Sequence, residues 1–176
     1  MIVIETERML FREMNYDDAP NLLGIFSDSE AMRYYPRTKS LEETLDWIER
    51  NRASYHLWGF GLWIAMLKDS QEFAGQCGLV MQRIEDVPEV EIGYLFLRKF
   101  WGRGLATEAA KAVRDYGFQK LEYDRLISLI DPGNAASIRV AERIGMKFEK
   151  EVEHLNKHVC VYALHKTGDG RLAKTA

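Results

Sequence analysis

The 176-residue sequence predicts an α+β domain on a mixed, mostly antiparallel seven-stranded sheet. The length fits one domain at roughly 150 residues each, and such a chain buries about 70% of its open-chain surface. Hydrophobic residues are 47% and charged residues 29% of the total, which excludes a disordered or collagen-like chain. The hydrophobic period switches repeatedly between strand-like and helix-like spacing, in the order β-α-α-β-β-β-α-β-α-β-β.

Met9 to Met14 reads as a strand bounded by Asn15. Asp17-Asp18 open an amphipathic helix through Leu22, Leu23 and Phe26. Ser40 with Glu43 is a capping box ahead of a helix from Leu41 to about Tyr55. Three strands follow, Phe60–Leu67, Phe73–Arg83 and Val90–Leu97, separated by Asp69-Ser70 and by Asp86-Val87-Pro88. Leu105 to Phe118 is a helix with Leu105, Ala109, Val113 and Tyr116 on its apolar face. Leu126–Ile130 is a short strand, and Asn134 caps a helix that stops at Gly145. Two last strands, Lys147–His154 and His158–His165, meet at Asn156-Lys157.

No repeat, low-complexity segment or linker interrupts residues 1–167, which read as a single domain; Gly168–Ala176 reads as a flexible tail. A net charge of −3 argues against nucleic acid as the main partner. Two cysteines, Cys77 and Cys160, cannot build a disulfide framework and read as buried thiols. No apolar run reaches the ~18 residues of a membrane span. The N-terminus turns acidic too early for a signal peptide, so the expectation is a cytoplasmic protein without a membrane partner.

The most informative segment is the strand ending Leu95-Phe96-Leu97, followed by Arg98-Lys99-Phe100-Trp101-Gly102-Arg103-Gly104-Leu105-Ala106 and a helix. Two glycines at a helix entry let backbone approach a ligand, and the first-turn N–H groups with the helix dipole suit a phosphate. A tight entry turn with no ligand has the same sequence.

Lys99-Phe-Trp-Gly102-Arg-Gly104-Leu-Ala resembles the Q/R-x-x-G-x-G/A signature of the GNAT acetyltransferases. Trp-Gly-Arg-Gly-Leu-Ala-Thr-Glu-Ala, the opening Thr6-Glu-Arg-Met-Leu-Phe-Arg12 and the segment Asn134 to Met146 are similar to their RimJ/RimL, ribosomal-protein N-acetyltransferase branch. The resemblance covers about residues 5 to 165. It implies helices on both faces of the sheet, acetyl-CoA as donor and a primary amine as acceptor. It also implies that the backbone of Leu95, Phe96 and Leu97 pairs with the pantetheine arm. The N–H groups of the stretch that includes Lys99, Trp101, Gly102, Arg103, Gly104, Leu105 and Ala106 would hold the pyrophosphate. Lys99 and Met146 depart from the family's Gln/Arg and Phe, and the position of the family's frequent tyrosine is Ala141.

Amide formation from a thioester needs a neutral amine, hence a base, an oxyanion donor and a proton for the leaving thiolate. Glu91, on the face of Gly93 and Leu95, is the candidate base; its other reading is a solvated charge at a strand end. Ser137, three residues after Asn134, is the candidate acid, though Asn134 and Ser137 also suit a helix N-terminus. Asn134 can both cap and face the cofactor. Tyr34 and Tyr35 beside Pro36 are candidates to line the acceptor site, against a reading as core aromatics.

No metal is expected: His154 and His158 flank a turn rather than share a helix face. A protein N-terminus is the favoured acceptor, with a polyamine, amino acid or antibiotic as the alternative. Glu42, Glu43, Asp46 and Glu49 on the second helix would suit a polyamine, or are simply a solvated face. A non-catalytic CoA-binding or interaction module is the alternative of another class. A strand edge near the C-terminus leaves homo-oligomer formation open.

Overall fold

Strands and helices fall where the periodicity puts them, with one strand more than expected. The computed structural model describes residues 1–166, so the expected tail at 168–176 lies outside the described residues. The order is β1 (Ile2–Glu5), β2 (Met9–Arg12), a 3-10 turn (Tyr16–Asp18), α1 (Ala19–Phe26), α2 (Leu41–Trp58), β3 (Leu62–Leu67), β4 (Phe73–Ile84) and β5 (Val87–Phe96). A second 3-10 turn (Arg98–Phe100), α3 (Leu105–Gln119), β6 (Arg125–Ile130), α4 (Ala135–Arg143), β7 (Lys147–His154) and β8 (Lys157–His165) complete it. The sheet has eight strands in the order β1-β2-β3-β4-β5-β6-β8-β7, not the seven expected.

The extra strand is β1. Four residues, Ile-Val-Ile-Glu, are too few to display a period, and β1 exists because it pairs antiparallel with β2. Thr6 closes that turn, its N–H donating to the Met9 carbonyl at 2.9 Å and its hydroxyl accepting from Met9 N–H at 3.0 Å. The β4–β5 boundary also moves: Asp86-Val87-Pro88 is not a gap, because Glu85 and Asp86, at φ 48° and 68°, make the whole turn. Pro88 sits inside β5 opposite Arg83. Even-numbered residues of β5 turn their backbone away from β4, so the missing proline N–H costs the β4–β5 ladder nothing.

Helices cover both faces. Trp47 of α2 donates its indole N–H to Gln76 of β4 at 3.0 Å, and Gly24 of α1 lies against Leu97. On the opposite face Tyr116 of α3 meets Trp63 of β3 edge-on, with ring centroids 5.3 Å apart. Trp63, Leu79 and Ile92 are fully buried there, and Cys77 lies among them as a free thiol. A smaller apolar cluster, Ile84, Ile127, Val152, Val159, Val161 and Ala163, holds the far half of the sheet.

All pairings are antiparallel except β5 with β6, which the crossover through α3 makes parallel. That one junction positions the site.

Candidate active site

The β5–β6 ladder keeps register only at Glu91↔Ile127. Just past it the Ser128 hydroxyl donates to the Ile92 carbonyl at 3.0 Å, and then the strands separate. The β5 edge beyond Ile92 therefore faces a gap in the sheet. Leu97 N–H donates to Ala74 of β4 at 2.9 Å, and alternation turns Leu95 the same way. The groups facing the gap belong to Tyr94 and Phe96, and the Phe96 carbonyl accepts the Trp101 indole N–H at 2.9 Å. Of the strand residues expected to offer backbone, Phe96 faces the gap, while Leu95 and Leu97 bond to β4. That Tyr94 faces the gap is not readable from the sequence, because strand parity depends on which neighbour is paired and sequence alone leaves that neighbour unknown.

Below β5 the chain enters the glycine loop. Phe100 and Trp101 donate their backbone N–H groups to Leu97 and Arg98 in the 3-10 turn, so neither amide points outward. Gly102 and Gly104 both have positive φ, 73° and 76°, which suits glycine alone at no steric cost. Gly104 is the N-cap of α3, and no side chain caps that helix. The first bond of the helix is Glu108 N–H to the Gly104 carbonyl, so the N–H groups of Leu105, Ala106 and Thr107 stand outside its ladder. A Cβ on Gly102 would meet nothing within 4 Å, so the loop's outer side is open. Of the nearby cations, Arg98 pairs with Asp28 at 2.5 Å and Lys99 with Glu72, while the Arg103 guanidinium lies 5.4 Å from the Phe100 ring centroid. An uncapped helix end, an open glycine turn and an unpaired strand edge on one side of the sheet fit a long anionic cofactor.

Glu91 lies at the mouth of the gap and shares its sheet face with Gly93 and Leu95, as alternation requires. Its carboxylate accepts from Gln82 Nε2 at 2.7 Å and from Leu129 N–H at 3.2 Å. Burial pushes it up to about 7, against the downward pull of those two hydrogen bonds. It is not a solvated strand-end charge: the exposed end of β5 is Val87 and Pro88, and the Glu91 carboxylate lies further in with two hydrogen-bond donors.

A family model described as an acetyltransferase (GNAT) domain matches residues 8–147. The chain belongs to the GNAT acetyltransferase family. It is 45% identical over 158 residues to the protein YkkB of Bacillus subtilis (strain 168), covering 89% of this chain and 92% of that one. An acetyltransferase structure from Agrobacterium tumefaciens str. C58 superposes with a TM-score of 0.82 at 30% identity, covering 94% of this chain and 95% of that one. RimL, the ribosomal L7/L12 α-N-protein acetyltransferase, shares the fold with a TM-score of 0.75 at 20% identity, covering 94% and 98%. The chain is thus an acetyl-CoA-dependent N-acetyltransferase that acylates amine acceptors.

On the other side of the gap, the acetyltransferase's α4 begins at Asn134, whose side-chain oxygen accepts from Ser137 N–H at 3.1 Å. Asn134→Ala removes this cap and is expected to cost about 1 kcal/mol, read as a lower urea midpoint, with Asn134→Ser retaining most of it. The Tyr94 hydroxyl crosses from β5 to donate to the Ser137 carbonyl at 3.1 Å. Burial raises its phenol, partly offset by hydrogen bonding with Ser137. Tyr94 and Ser137 therefore bring two hydroxyl groups to the first turn of α4.

The two tyrosines of the α1–α2 loop separate in role. Tyr34 donates its hydroxyl to the Gly133 carbonyl at 3.0 Å, and its own carbonyl accepts from Lys157 Nζ. Lys157 also pairs with Asp131 at 2.8 Å, so the loop is tied to both the β6–α4 connection and the β7–β8 turn. Tyr35 lies 41% exposed beside Glu91, and burial of its phenol together with the Glu91 charge pushes its titration upward. Among the described residues no group of three or more His, Cys, Asp or Glu is placed to hold a metal, and no helix is long and apolar enough to cross a membrane. His158 sits instead between Glu151 at 2.9 Å and Glu153 at 3.2 Å.

Proposed function

We propose that this acetyltransferase moves the acetyl group by direct attack of the amine within a ternary complex, and that its acceptor is a protein N-terminal α-amine. Glu91 takes the proton from the amine, directly or through one water, with Gln82 and Leu129 N–H holding the carboxylate in place. Acetyl-CoA supplies the thioester carbon that the amine attacks. The outward N–H groups of Tyr94 and Phe96 stabilise the oxyanion. The hydroxyl of Ser137, with Tyr94 beside it, passes its proton to the departing sulfur and regains one from the nitrogen as the tetrahedral intermediate collapses to the amide. Leu105 and Ala106 N–H groups, with Gly102, Arg103 and Gly104, cradle the pyrophosphate, and Tyr35 lines the acceptor side.

The feature that carries the acceptor is the Glu91 carboxylate drawn in beside the gap, where Gln82 Nε2 and Leu129 N–H hold it and burial pushes it up to about 7. An α-amine ionises at about 7.7–8.0, roughly one unit above this base, whereas a lysine-like amine at about 10.4 lies more than three units above it. A polyamine is the second reading. A 56-residue stretch is 38% identical to the spermidine N(1)-acetyltransferase of Escherichia coli (strain K12), covering 32% of this chain and 30% of that one. The acidic helix that would receive a polyamine is partly neutralised, because Glu43 pairs with Arg37, and Glu49 with Tyr16 and Arg52.

Thiol release is measured with acetyl-CoA and short peptides carrying a free α-amine, N-blocked peptides carrying lysine, and spermidine. Release with the free α-amine peptides alone is the expected result. Release with spermidine but not the peptides overturns the acceptor assignment. Retained acetyl-CoA binding with no release from any amine would leave a non-catalytic CoA-binding module.

A further inference from the structure

Arg8 lies in the turn between β1 and β2, far in sequence from the glycine loop, and belongs to none of the residues assigned to the site above. Its side chain nevertheless seats on the start of α3. Nε donates to Glu108 Oε2 at 2.6 Å, and Nη1 donates to the Arg103 carbonyl at 2.8 Å. Its backbone N–H donates to Glu108 Oε1 at 2.9 Å, so both carboxylate oxygens are held by one residue. Nη2 comes within 3.6 Å of the point a Cβ on Gly104 would occupy.

These contacts address two problems of an anion site at this helix end. Glu108 is in the first turn of α3, where a carboxylate suits the helix dipole but repels a phosphate. Although burial alone would raise the Glu108 carboxyl, hydrogen bonds from Thr6 and Arg8 hold it below the ordinary carboxylate range, so the repelling charge is present at neutral pH. The guanidinium sets an opposite charge against it. The second problem is loop orientation. Arg103 stands between two positive-φ glycines, and fixing its carbonyl toward Arg8 fixes the peptide plane that carries the Gly104 N–H.

We propose that Arg8 is a positioning residue for the acetyl-CoA phosphates: through the Arg103 carbonyl it holds the glycine loop in its binding conformation, and by pairing with Glu108 it offsets a charge that would oppose the ligand. The inference rests on the glycine loop being the phosphate site. It also gives β1 and β2 a function, since their turn is what delivers Arg8.

The test compares Arg8→Ala, Arg8→Lys, Glu108→Gln and the Arg8→Ala/Glu108→Gln double variant with the wild type, by calorimetric titration of acetyl-CoA and by kinetics. S-acetylpantetheine, which has the thioester but no pyrophosphate, serves as the second donor. Arg8→Ala is expected to weaken acetyl-CoA binding about tenfold or more and to raise its KM in step, with kcat at saturation within about twofold. Its KM for S-acetylpantetheine should stay at the wild-type value. The double variant should recover part of the loss, since the repelling carboxylate is gone, and Arg8→Lys should fall between. Equal loss for both donors means a merely structural role and overturns the proposal, as does an Arg8→Ala affinity within about twofold of wild type. Wild-type protein that binds S-acetylpantetheine and acetyl-CoA equally well overturns the phosphate-site reading beneath it instead. If Arg8→Ala does not fold by circular dichroism, Arg8→Lys decides, with unchanged acetyl-CoA affinity counting against the proposal.

Discussion

Glu91→Gln is expected to lower kcat by about 10²–10³-fold while acetyl-CoA affinity stays within about twofold, because the change removes a proton acceptor and not a contact of the glycine loop. The replacement is nearly isosteric and can still accept from Leu129 N–H, so the splayed mouth of β5 and β6 keeps its shape. The pH dependence is the sharper readout. Burial holds the Glu91 carboxyl at about 7, so the wild-type rate should rise with pH through that value as the base loses its proton. The variant should lose this rise. A variant that keeps both its rate and the rise near pH 7 would remove Glu91 from the mechanism.

The same residue makes a stability prediction with a definite sign. A carboxyl that is raised on folding binds its proton more tightly in the native state, so its favourable contribution is complete below the unfolded value. That contribution fades as pH climbs through about 7. The ionised carboxylate is then the costly species. Glu91→Gln should therefore raise the melting temperature more at pH 8 than at pH 5, the opposite of what loss of an ordinary salt-bridged carboxylate would give. Activity and stability moving in opposite directions would mark Glu91 as a group kept for chemistry at a structural cost.

The second large effect is expected at Gly75, which no motif points to. A Cβ there would overlap the Leu95 carbonyl oxygen and stand 2.7 Å from Phe96 Cα. Neither neighbour is the far end of a flexible side chain, so relief requires β5 to move as a strand. Gly75→Ala is expected to destabilise the protein by about 3 kcal/mol, the upper part of the range for overpacking. It should also weaken acetyl-CoA binding about tenfold, because the displaced segment carries the Phe96 edge that faces the gap. Urea unfolding and calorimetric titration separate the two effects. Destabilisation with unchanged affinity would mean that the cofactor does not read the β5 edge.

Several parts of this molecule were legible from residues alone because their causes are local. The Ser40/Glu43 capping box forms as spaced, and α2 begins at Leu41. Asn134 caps α4, and Gly145 ends that helical stretch at φ 93°. Gly102 and Gly104 announce a helix entry that backbone sterics reserve for glycine. Each of these depends on residues within a few positions of one another, so a reader of the sequence has all the information that the chain itself uses.

The failures have the opposite cause. β1 is a strand only because β2 lies beside it, and Pro88 fits inside β5 only because its missing N–H points away from β4. Which β5 residues turn their backbone to the gap follows from which flank β4 occupies, so Tyr94 and Phe96 face the gap while Leu95 and Leu97 face β4. The ties from the Tyr34 hydroxyl and carbonyl to Gly133 and Lys157 join residues about a hundred or more positions apart, and nothing near Tyr34 in the sequence announces them.

By itself the sequence determined the α+β class, the helix boundaries set by caps, the glycine loop and the face on which Glu91 lies. Periodicity, capping and positive φ are short-range properties, and they survive without knowledge of the fold. Only the tertiary structure decided the eighth strand, the parting of β5 from β6, the desolvation that brings Glu91 to about 7, and the reach of Arg8 to Arg103 and Glu108. Strand pairing, burial and contact between distant residues are set by where the rest of the chain ends up, and no window of residues contains that.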